Sequence, residues 1–194
     1  MSIETEVKVV LVDSGEFQRR LNLLSRVSSS ARHFEDNYLL DFPDGRIRSQ
    51  MGLIRVRLTD EANFLTFKGQ PLPSEVFKSR EELETTVADG TMALRILEQL
   101  GLRVWFRYQK YRQEFTVPSG RRPADEVHIA VDRTPIGDFV EFEGSEDGIR
   151  DIAGMLGFEE SQFLQDSYYS LYVRYCRDRG EPVTNMIFPP GTSD

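Results

Sequence analysis

The sequence predicts an α+β fold dominated by an antiparallel β-sheet with one charged face. In the opening strand, Glu4, Glu6 and Lys8 alternate with apolar residues such as Val7 and Val9, and alternate side chains of a strand point to opposite faces. The same alternation recurs along the chain, with charge on one parity and mainly apolar residues on the other. The recurring sets are Arg55/Arg57, Thr66/Lys68, Arg80/Glu82/Glu84, Lys110/Arg112/Glu114 and Glu141/Glu143.

The order of these charges leaves two interpretations of the sheet open. An antiparallel sheet with one solvated face explains any single strand. Glutamate, however, pairs with glutamate in the first and last strands, and arginine pairs with arginine in the middle of the chain, an order that solubility does not require. If the sheet closes into a barrel, the charged face becomes a lumen, where carboxylates can hold divalent metals and bases can hold phosphates.

The elements follow from the hydrophobic period, which is two residues in strands and 3.6 in helices. Phe17, Leu21 and Leu24 recur at helical spacing after Asp13 or Ser14, either of which can cap the helix. Residues 42–46, 60–63 and 118–125 are predicted turns or loops by composition. Strands are predicted at 2–12, 34–42, 52–60, 63–69, 75–87, 102–117, 125–133 and 138–144, and helices at 14–27, 90–100, 146–156 and 166–178.

Length and composition favour one domain in an intracellular setting. The 194 residues suffice for a single sizeable core, which we assign to 1–179, with 180–194 as a loosely held extension that Met186 to Phe188 could pin to the body. A net charge of −8 argues against a nucleic-acid or anionic-membrane partner. Without a signal peptide or a long apolar run, the expected location is cytoplasmic. A homo-oligomer is compatible with the sequence.

Several other residues favour structural roles. The lone cysteine, Cys176, excludes an intrachain disulfide and is expected to be a buried thiol. His33 and His128 lack zinc-ligand spacing. Trp105 and Phe106 are expected to pack against a helix, with stacking on a nucleobase as the alternative.

Eight motifs then occur in a specific order along nearly the whole chain. They are Glu4-x-Glu6-x-Lys8; "NYLLDFPDG" from Asn37; "GLIRVRL" with Arg55 and Arg57; "LTFKG" with Lys68 and "SREELE" with Arg80, Glu82 and Glu84; "YQKYR" with Lys110 and Arg112; "IAVDRTPIG" with Asp132; and "GDFVEFEG" with Glu141 and Glu143. In this order the sequence resembles the CYTH superfamily, also called triphosphate tunnel metalloenzymes. Its members include thiamine triphosphatases, inorganic triphosphatases and class IV adenylyl cyclases.

The resemblance implies an eight-stranded antiparallel β-barrel, a tunnel with helices packed outside. It implies a Mg²⁺ or Mn²⁺ cofactor held by the first and last glutamate pairs, Glu4/Glu6 and Glu141/Glu143, with Glu82, Glu84 and Asp132 nearby. A salt-bridge role for Glu82 and Glu84, with Arg57, Arg80 or Arg112 as the partner, stays equally open. The expected substrate-binding bases are Lys8, Arg55, Arg57, Lys68, Arg80, Lys110 and Arg112, of which Lys8, Arg57, Lys110 and Arg112 are the expected catalytic residues.

The expected activity is metal-dependent hydrolysis of a small-molecule triphosphate. Inorganic triphosphate, thiamine triphosphate and nucleoside triphosphates share the portion that such a tunnel would recognise. The first alternative is an adenylyl cyclase, in which the ribose 3′-hydroxyl attacks the α-phosphorus of ATP. The second is a polyphosphate-binding module without catalysis, which the glutamate pairs disfavour because binding a polyanion needs bases and not acids.

Overall fold

A computed structural model describes residues 2–119 and 125–192 of the chain, so most of the predicted loop at 118–125 lies outside the described residues. The described part is built on one antiparallel sheet of nine strands. The strands are β1 (Ser2–Val10), β2 (Ser28–Ser29), β3 (His33–Asp41), β4 (Leu53–Leu58), β5 (Asn63–Lys68), β6 (Lys78–Val87), β7 (Arg103–Pro118), β8 (Glu126–Thr134) and β9 (Gly137–Glu143).

The sheet closes into a barrel, as the sequence predicted. Its order is β2-β7-β3-β4-β5-β6-β1-β9-β8, and a further pairing between β7 and β8 joins the two ends. β7 makes the closure possible because it is 16 residues long: its first half pairs with β3, and its second half pairs with β8. Eight strands form the closed barrel, and the two-residue β2 adds to the edge of β7.

Five α-helices accompany the barrel in the part of the chain that the structure describes. They are α1 (Ser14–Leu21), α2 (Arg46–Ser49), α3 (Gly90–Gln99), α4 (Glu146–Met155) and α5 (Tyr168–Arg179). The predicted cap Asp13 is confirmed, since its side chain accepts a hydrogen bond from the Glu16 amide. The first helix was predicted too long: it ends at Leu21 instead of 27, ahead of a turn in which Arg26 adopts a φ of 61°. The predicted turn at 42–46 is confirmed at 43–44, but α2, which follows it directly, was not predicted.

Apolar residues of the outer barrel face form the core with the helices. Around β1, β8 and β9, a cluster containing Val9, Ile129 and Phe142 packs with Phe17 of α1 and Ile152 of α4. A second cluster joins β3 and β4 to α3, and a third joins the first half of β7 to α5. Because apolar residues of the strands pack against the helices outside the barrel, the charged residues at alternate positions face inward.

The segment after α5 lies against the first half of β7. Met186 is 1% exposed, its amide donates to the Arg107 carbonyl at 3.0 Å, and its carbonyl accepts from the Gln109 amide at 2.9 Å. The Phe188 ring lies 5.4 Å from that of Tyr111. In the residues that the structure describes, no helix has the length and hydropathy needed to cross a membrane.

Candidate active site

A cavity of about 1230 Å³ lies inside the barrel, and charged side chains line it. All seven bases expected from the sequence reach its wall, and so do six of the seven expected acids. The bases are Lys8, Arg55, Arg57, Lys68, Arg80, Lys110 and Arg112, and the acids are Glu4, Glu6, Glu82, Glu84, Glu141 and Glu143. These side chains come from six strands, and the common parity of those strands brings them together.

Acids and one lysine meet where β5, β6 and β1 lie side by side. Lys68 Nζ is 2.5 Å from Glu4 Oε2 and 2.6 Å from Glu82 Oε2. Burial, reinforced by a hydrogen bond with Glu82, raises the pKa of the Glu4 carboxyl to about 8. The two carboxyl groups therefore hold one proton between them in the absence of a cation, which is the expected behaviour of crowded acids.

Glu6 lies beside two further bases of β6. Its Oε1 is 3.2 Å from Lys78 Nζ and 3.7 Å from the Arg80 guanidinium. Burial opposes ionisation, but Lys68, Lys78 and Lys8 together lower the pKa of Glu6 to about 2. Lys78 was not predicted from the sequence. It lies two residues before Arg80 on β6 and therefore shares its face of the strand, which is the signal that could have identified it.

The last glutamate pair divides between two environments. Lys8 Nζ lies 2.6 Å from Glu141 Oε1, and Arg112 donates to the other carboxylate oxygen. Burial acts against ionisation, but these bases hold the pKa of Glu141 well below its usual range. Burial raises the pKa of Glu143 instead. Its pKa shift therefore has the same direction as that of Glu4 and the opposite direction to that of Glu141.

Glu84 is held by polar groups of β4 and β5. The Thr66 hydroxyl donates to Glu84 Oε2 at 2.7 Å, and Arg55 Nη2 lies 3.3 Å from the same oxygen. Glu84 and Glu82 do form ion pairs, but with bases other than the three considered from the sequence: Glu84 pairs with Arg55, and Glu82 pairs with Lys68.

Asp132 lies behind the bases and not on the cavity wall. It is fully buried, and its carboxylate accepts one hydrogen bond from Lys110, two from Arg112 and one from the Tyr168 hydroxyl. The sequence analysis expected a position near a metal. Its oxygens are instead occupied by donors that orient two of the tunnel bases.

Glu35 is a second fully buried acid, and the sequence analysis missed it. Its carboxylate lies 3.4 Å from Arg57, 3.5 Å from Lys110 and 3.9 Å from Arg112. Strand β3 gave no clear signal because acids occur on both of its parities, with Glu35 facing inward and Asp36 outward.

Helix α5 places Tyr168 at one end of the cavity. The ring centroid is 4.6 Å from Lys8 Nζ and 5.2 Å from Lys110 Nζ, distances at which an aromatic ring attracts cations. Its hydroxyl donates to Asp132 at 2.5 Å. Burial raises the pKa of Tyr168 well above its ordinary value, so the hydroxyl stays protonated and available as a donor.

The residues expected to be structural behave as predicted. Trp105 and Phe106 pack against Tyr169 of α5, with centroids 4.8 and 5.0 Å apart respectively. Cys176 is buried and free. Across residues 2–119 and 125–192, no group of three or more His, Cys, Asp or Glu side chains is already gathered as a metal site, because the tunnel acids are drawn onto neighbouring bases.

A closed barrel with opposed bases and acids in its lumen defines a tunnel protein built to hold a polyanion. The model of the CYTH domain matches residues 2–168, and the chain belongs to this family. It is 27% identical, over 143 residues covering 74% of this chain and 77% of the other, to a candidate adenylate cyclase of Methanocaldococcus jannaschii.

Solved structures share the fold. A candidate adenylate cyclase from Vibrio parahaemolyticus matches with a TM-score of 0.71 and 19% identity, covering 86% of this chain and 95% of that one. The PH1819 protein of Pyrococcus horikoshii matches with a TM-score of 0.70 and 22% identity, covering 89% and 99%. A Hippeastrum protein, described as a candidate cyclase with a dominant triphosphatase activity, matches with a TM-score of 0.60 and 16% identity, covering 93% and 97%.

Proposed function

We propose that the protein is a Mg²⁺- or Mn²⁺-dependent triphosphatase that hydrolyses a small-molecule triphosphate inside its barrel. The observation that carries the proposal is the convergence of seven bases on one cavity together with six carboxylates. Two of the bases also have unused donors: Arg55 Nε and Arg80 Nε are buried and make no hydrogen bond within the described residues. Buried guanidinium donors without partners are costly, and phosphate oxygens would satisfy them.

The charge balance of the tunnel supports a divalent cofactor. Lys78 brings the bases to eight, and the buried Asp132 and Glu35 bring the six wall acids to eight, so these two sets are formally neutral together. A triphosphate bound alone would leave the tunnel strongly negative, and divalent cations entering with the substrate would restore the balance. Uncompensated charge of this kind is unfavourable in a buried site.

The donor chemistry fits hard cations. Carboxylate oxygens are the ligands that Mg²⁺ and Mn²⁺ prefer, and Glu4 and Glu82, both within 2.6 Å of Lys68 Nζ, are crowded carboxyl groups whose charge a cation would offset. The residues that would hold the metal are Glu4, Glu6, Glu82, Glu84, Glu141 and Glu143. When bound, the metal supplies Lewis-acid polarisation of phosphoryl oxygens and a lowered pKa for coordinated water.

The bases of the chain perform the remaining work. Lys8, Lys110 and Arg112 would neutralise the phosphates of a substrate bound in the tunnel, and Arg57 would offer planar, paired donors to phosphate oxygens. Neutralised charge no longer repels a water molecule that attacks the terminal phosphorus in line, and the bond to the leaving diphosphate breaks. Asp132 acts from behind as a positioning residue for Lys110 and Arg112, in place of the metal role first expected for it.

Adenylyl cyclase is the second candidate, and the relative from Methanocaldococcus jannaschii favours it. The same tunnel would then present the α-phosphorus of ATP to the ribose 3′-hydroxyl. The Hippeastrum neighbour, described as chiefly a triphosphatase, supports the first candidate by illustrating that this fold accommodates hydrolysis.

The two candidates differ in their products. The protein is incubated with inorganic triphosphate, thiamine triphosphate and ATP, each with Mg²⁺, with Mn²⁺ and with a chelator, and phosphate, diphosphate and cyclic AMP are separated. We expect metal-dependent release of phosphate. Cyclic AMP and diphosphate from ATP would establish the cyclase instead, and binding without turnover of any substrate would contradict both.

A further inference from the structure

Glu35 stands out among the buried charged groups because it touches three phosphate-facing bases without reaching the cavity itself. It is 0% exposed, on the inward parity of β3. Backbone pairing sets Glu35 directly opposite Lys110 on β7, and its neighbour Asn37 opposite Arg57 on β4. The carboxylate is therefore at the junction of three strands, with bases on both sides.

The contacts divide unequally between the two carboxylate oxygens. Oε2 lies 3.4 Å from Arg57 Nε and 3.5 Å from Lys110 Nζ, and it accepts a hydrogen bond from the Asn37 side-chain amide at 3.4 Å. Oε1 lies 3.5 Å from His33 and 3.9 Å from Arg112, and it accepts no hydrogen bond from the described residues. At these distances, Coulomb attraction to several cations, and not one short ion pair, stabilises the Glu35 carboxylate.

The three bases need such a counter-charge when no substrate is bound. Like charges on neighbouring strands repel, and flexible side chains would separate to reduce that repulsion. Arg112 and Lys110 also contact Asp132. Arg57 has no such contact among the described residues, and its other side-chain contacts are uncharged: the Asn37 amide oxygen at 3.2 Å and the Phe64 ring, whose centroid is 5.9 Å away. Glu35 is thus the one acid that connects Arg57 to the β7 pair among the described contacts.

We propose that Glu35 is a positioning residue, which holds Arg57, Lys110 and Arg112 in one arrangement before the triphosphate arrives. The inference rests on the proposed function and deepens it. Burial opposes the charge of Glu35, but the pKa of its carboxyl is held well below the usual range by Lys110, Arg57 and Arg112, so the carboxylate is charged at neutral pH.

The test compares Glu35→Gln with Asp36→Asn. Asp36 is the next residue on the same strand, faces outward, and also pairs with an arginine, Arg107, at 2.6 Å, which makes it a matched control outside the tunnel. Glu35→Gln keeps the shape and removes the charge. We expect kcat to fall about tenfold to a hundredfold through misplaced bases, with KM unchanged or lower because the lumen becomes more positive.

A second readout separates positioning from simple stabilisation. Inorganic triphosphate added without metal is expected to raise the Tm of Glu35→Gln more than that of the wild type, because the anion replaces the missing counter-charge. For Asp36→Asn we expect the wild-type shift and wild-type kinetics. If Glu35→Gln does not fold, Glu35→Asp retains the charge but draws it back from the bases, and the same fall in kcat is expected.

The outcomes distinguish the inference from the function on which it depends. A wild type without triphosphate turnover and without a triphosphate-induced shift would overturn the proposed function and this inference together. An active wild type, with Glu35 variants that match Asp36→Asn in kcat, KM and Tm shift, would overturn the role of Glu35 alone.

Discussion

Lys68 on β5 reaches Glu4 on β1 with an Nζ–Oε2 distance of 2.5 Å, although 64 residues separate them. Strand β6 lies between β5 and β1 in the sheet, so the contact spans one strand. Lys68 also contacts Glu82 of that strand, at 2.6 Å. This lysine therefore bridges the carboxylates that we propose as metal ligands, and a cation at this end of the tunnel must displace it or share its partners.

Replacement of Arg57 by Ala is expected to weaken both substrate binding and turnover. The substitution removes a paired phosphate donor and a counter-charge of Glu35. A loss of about tenfold or more in kcat/KM, corresponding to one charge-assisted hydrogen bond, is the expected result of steady-state kinetics with inorganic triphosphate. Arg107→Ala is the control, since Arg107 pairs with Asp36 on the outside. Equal kinetics in the two variants would show that Arg57 does not face the substrate.

Asp41 makes the fold sensitive to acid. Its buried carboxylate accepts hydrogen bonds from the amides of Phe42, Ile47 and Arg48 and from the Arg48 guanidinium. Burial opposes ionisation, but these bonds lower its pKa. Because the folded pKa lies below the unfolded one, the stabilisation is complete above about pH 4 and is lost as the pH falls through the folded value.

The corresponding measurement follows Tm against pH for the wild type and Asp41→Asn. At neutral pH we expect the variant to be about 1 to 3 kcal/mol less stable, the cost of charged hydrogen bonds to buried amides. The difference should shrink below pH 4. A stability difference between the wild type and Asp41→Asn that stays constant down to pH 2 would contradict the role assigned to the Asp41 charge.

Met186 is expected to carry the attachment of the C-terminal segment. It is 1% exposed, whereas the adjacent Ile187 is 41% exposed. Met186→Ala should lower the unfolding free energy by about 2 to 5 kcal/mol, as for other buried methionines, and Ile187→Ala by much less. Chemical denaturation of both variants checks this, and similar losses would mean that the buried Met186 side chain does not carry the attachment.

The charged face of the sheet could be predicted because the period-two pattern is strong in strands such as β1, whereas closure into a barrel was expected from the family resemblance. Glu4, Glu6 and Lys8 share one parity with no exception, so the face they occupy could be read directly. The parity of β3 could not be read in this way, because Glu35 and Asp36 are adjacent acids of which only one is inside. The burial of Glu35 depends on Lys110 and Arg57 on other strands, information that no local pattern contains.

Helix ends and the fine placement of acids were harder to predict for a related reason. The short helix α2 depends on the Asp41 carboxylate, which accepts amide bonds from residues six and seven positions later. Asp132 has the inward parity expected of a metal ligand, yet Tyr168 from the distant α5 and the two β7 bases take up its oxygens. Parity predicts the face of a side chain and not its partner.

The most direct test of the account is triphosphate hydrolysis with Mg²⁺ or Mn²⁺ by Glu4→Gln, Glu6→Gln, Glu141→Gln and Glu143→Gln. Each change keeps the size of the side chain and removes the charge needed for metal, so we expect activity to fall by orders of magnitude and metal affinity to weaken. Glu81→Gln, on the outward parity of β6, is the control and should match the wild type. Unchanged rates and unchanged metal affinity in all four tunnel variants would contradict the proposal that these carboxylates hold the metal of a triphosphatase site.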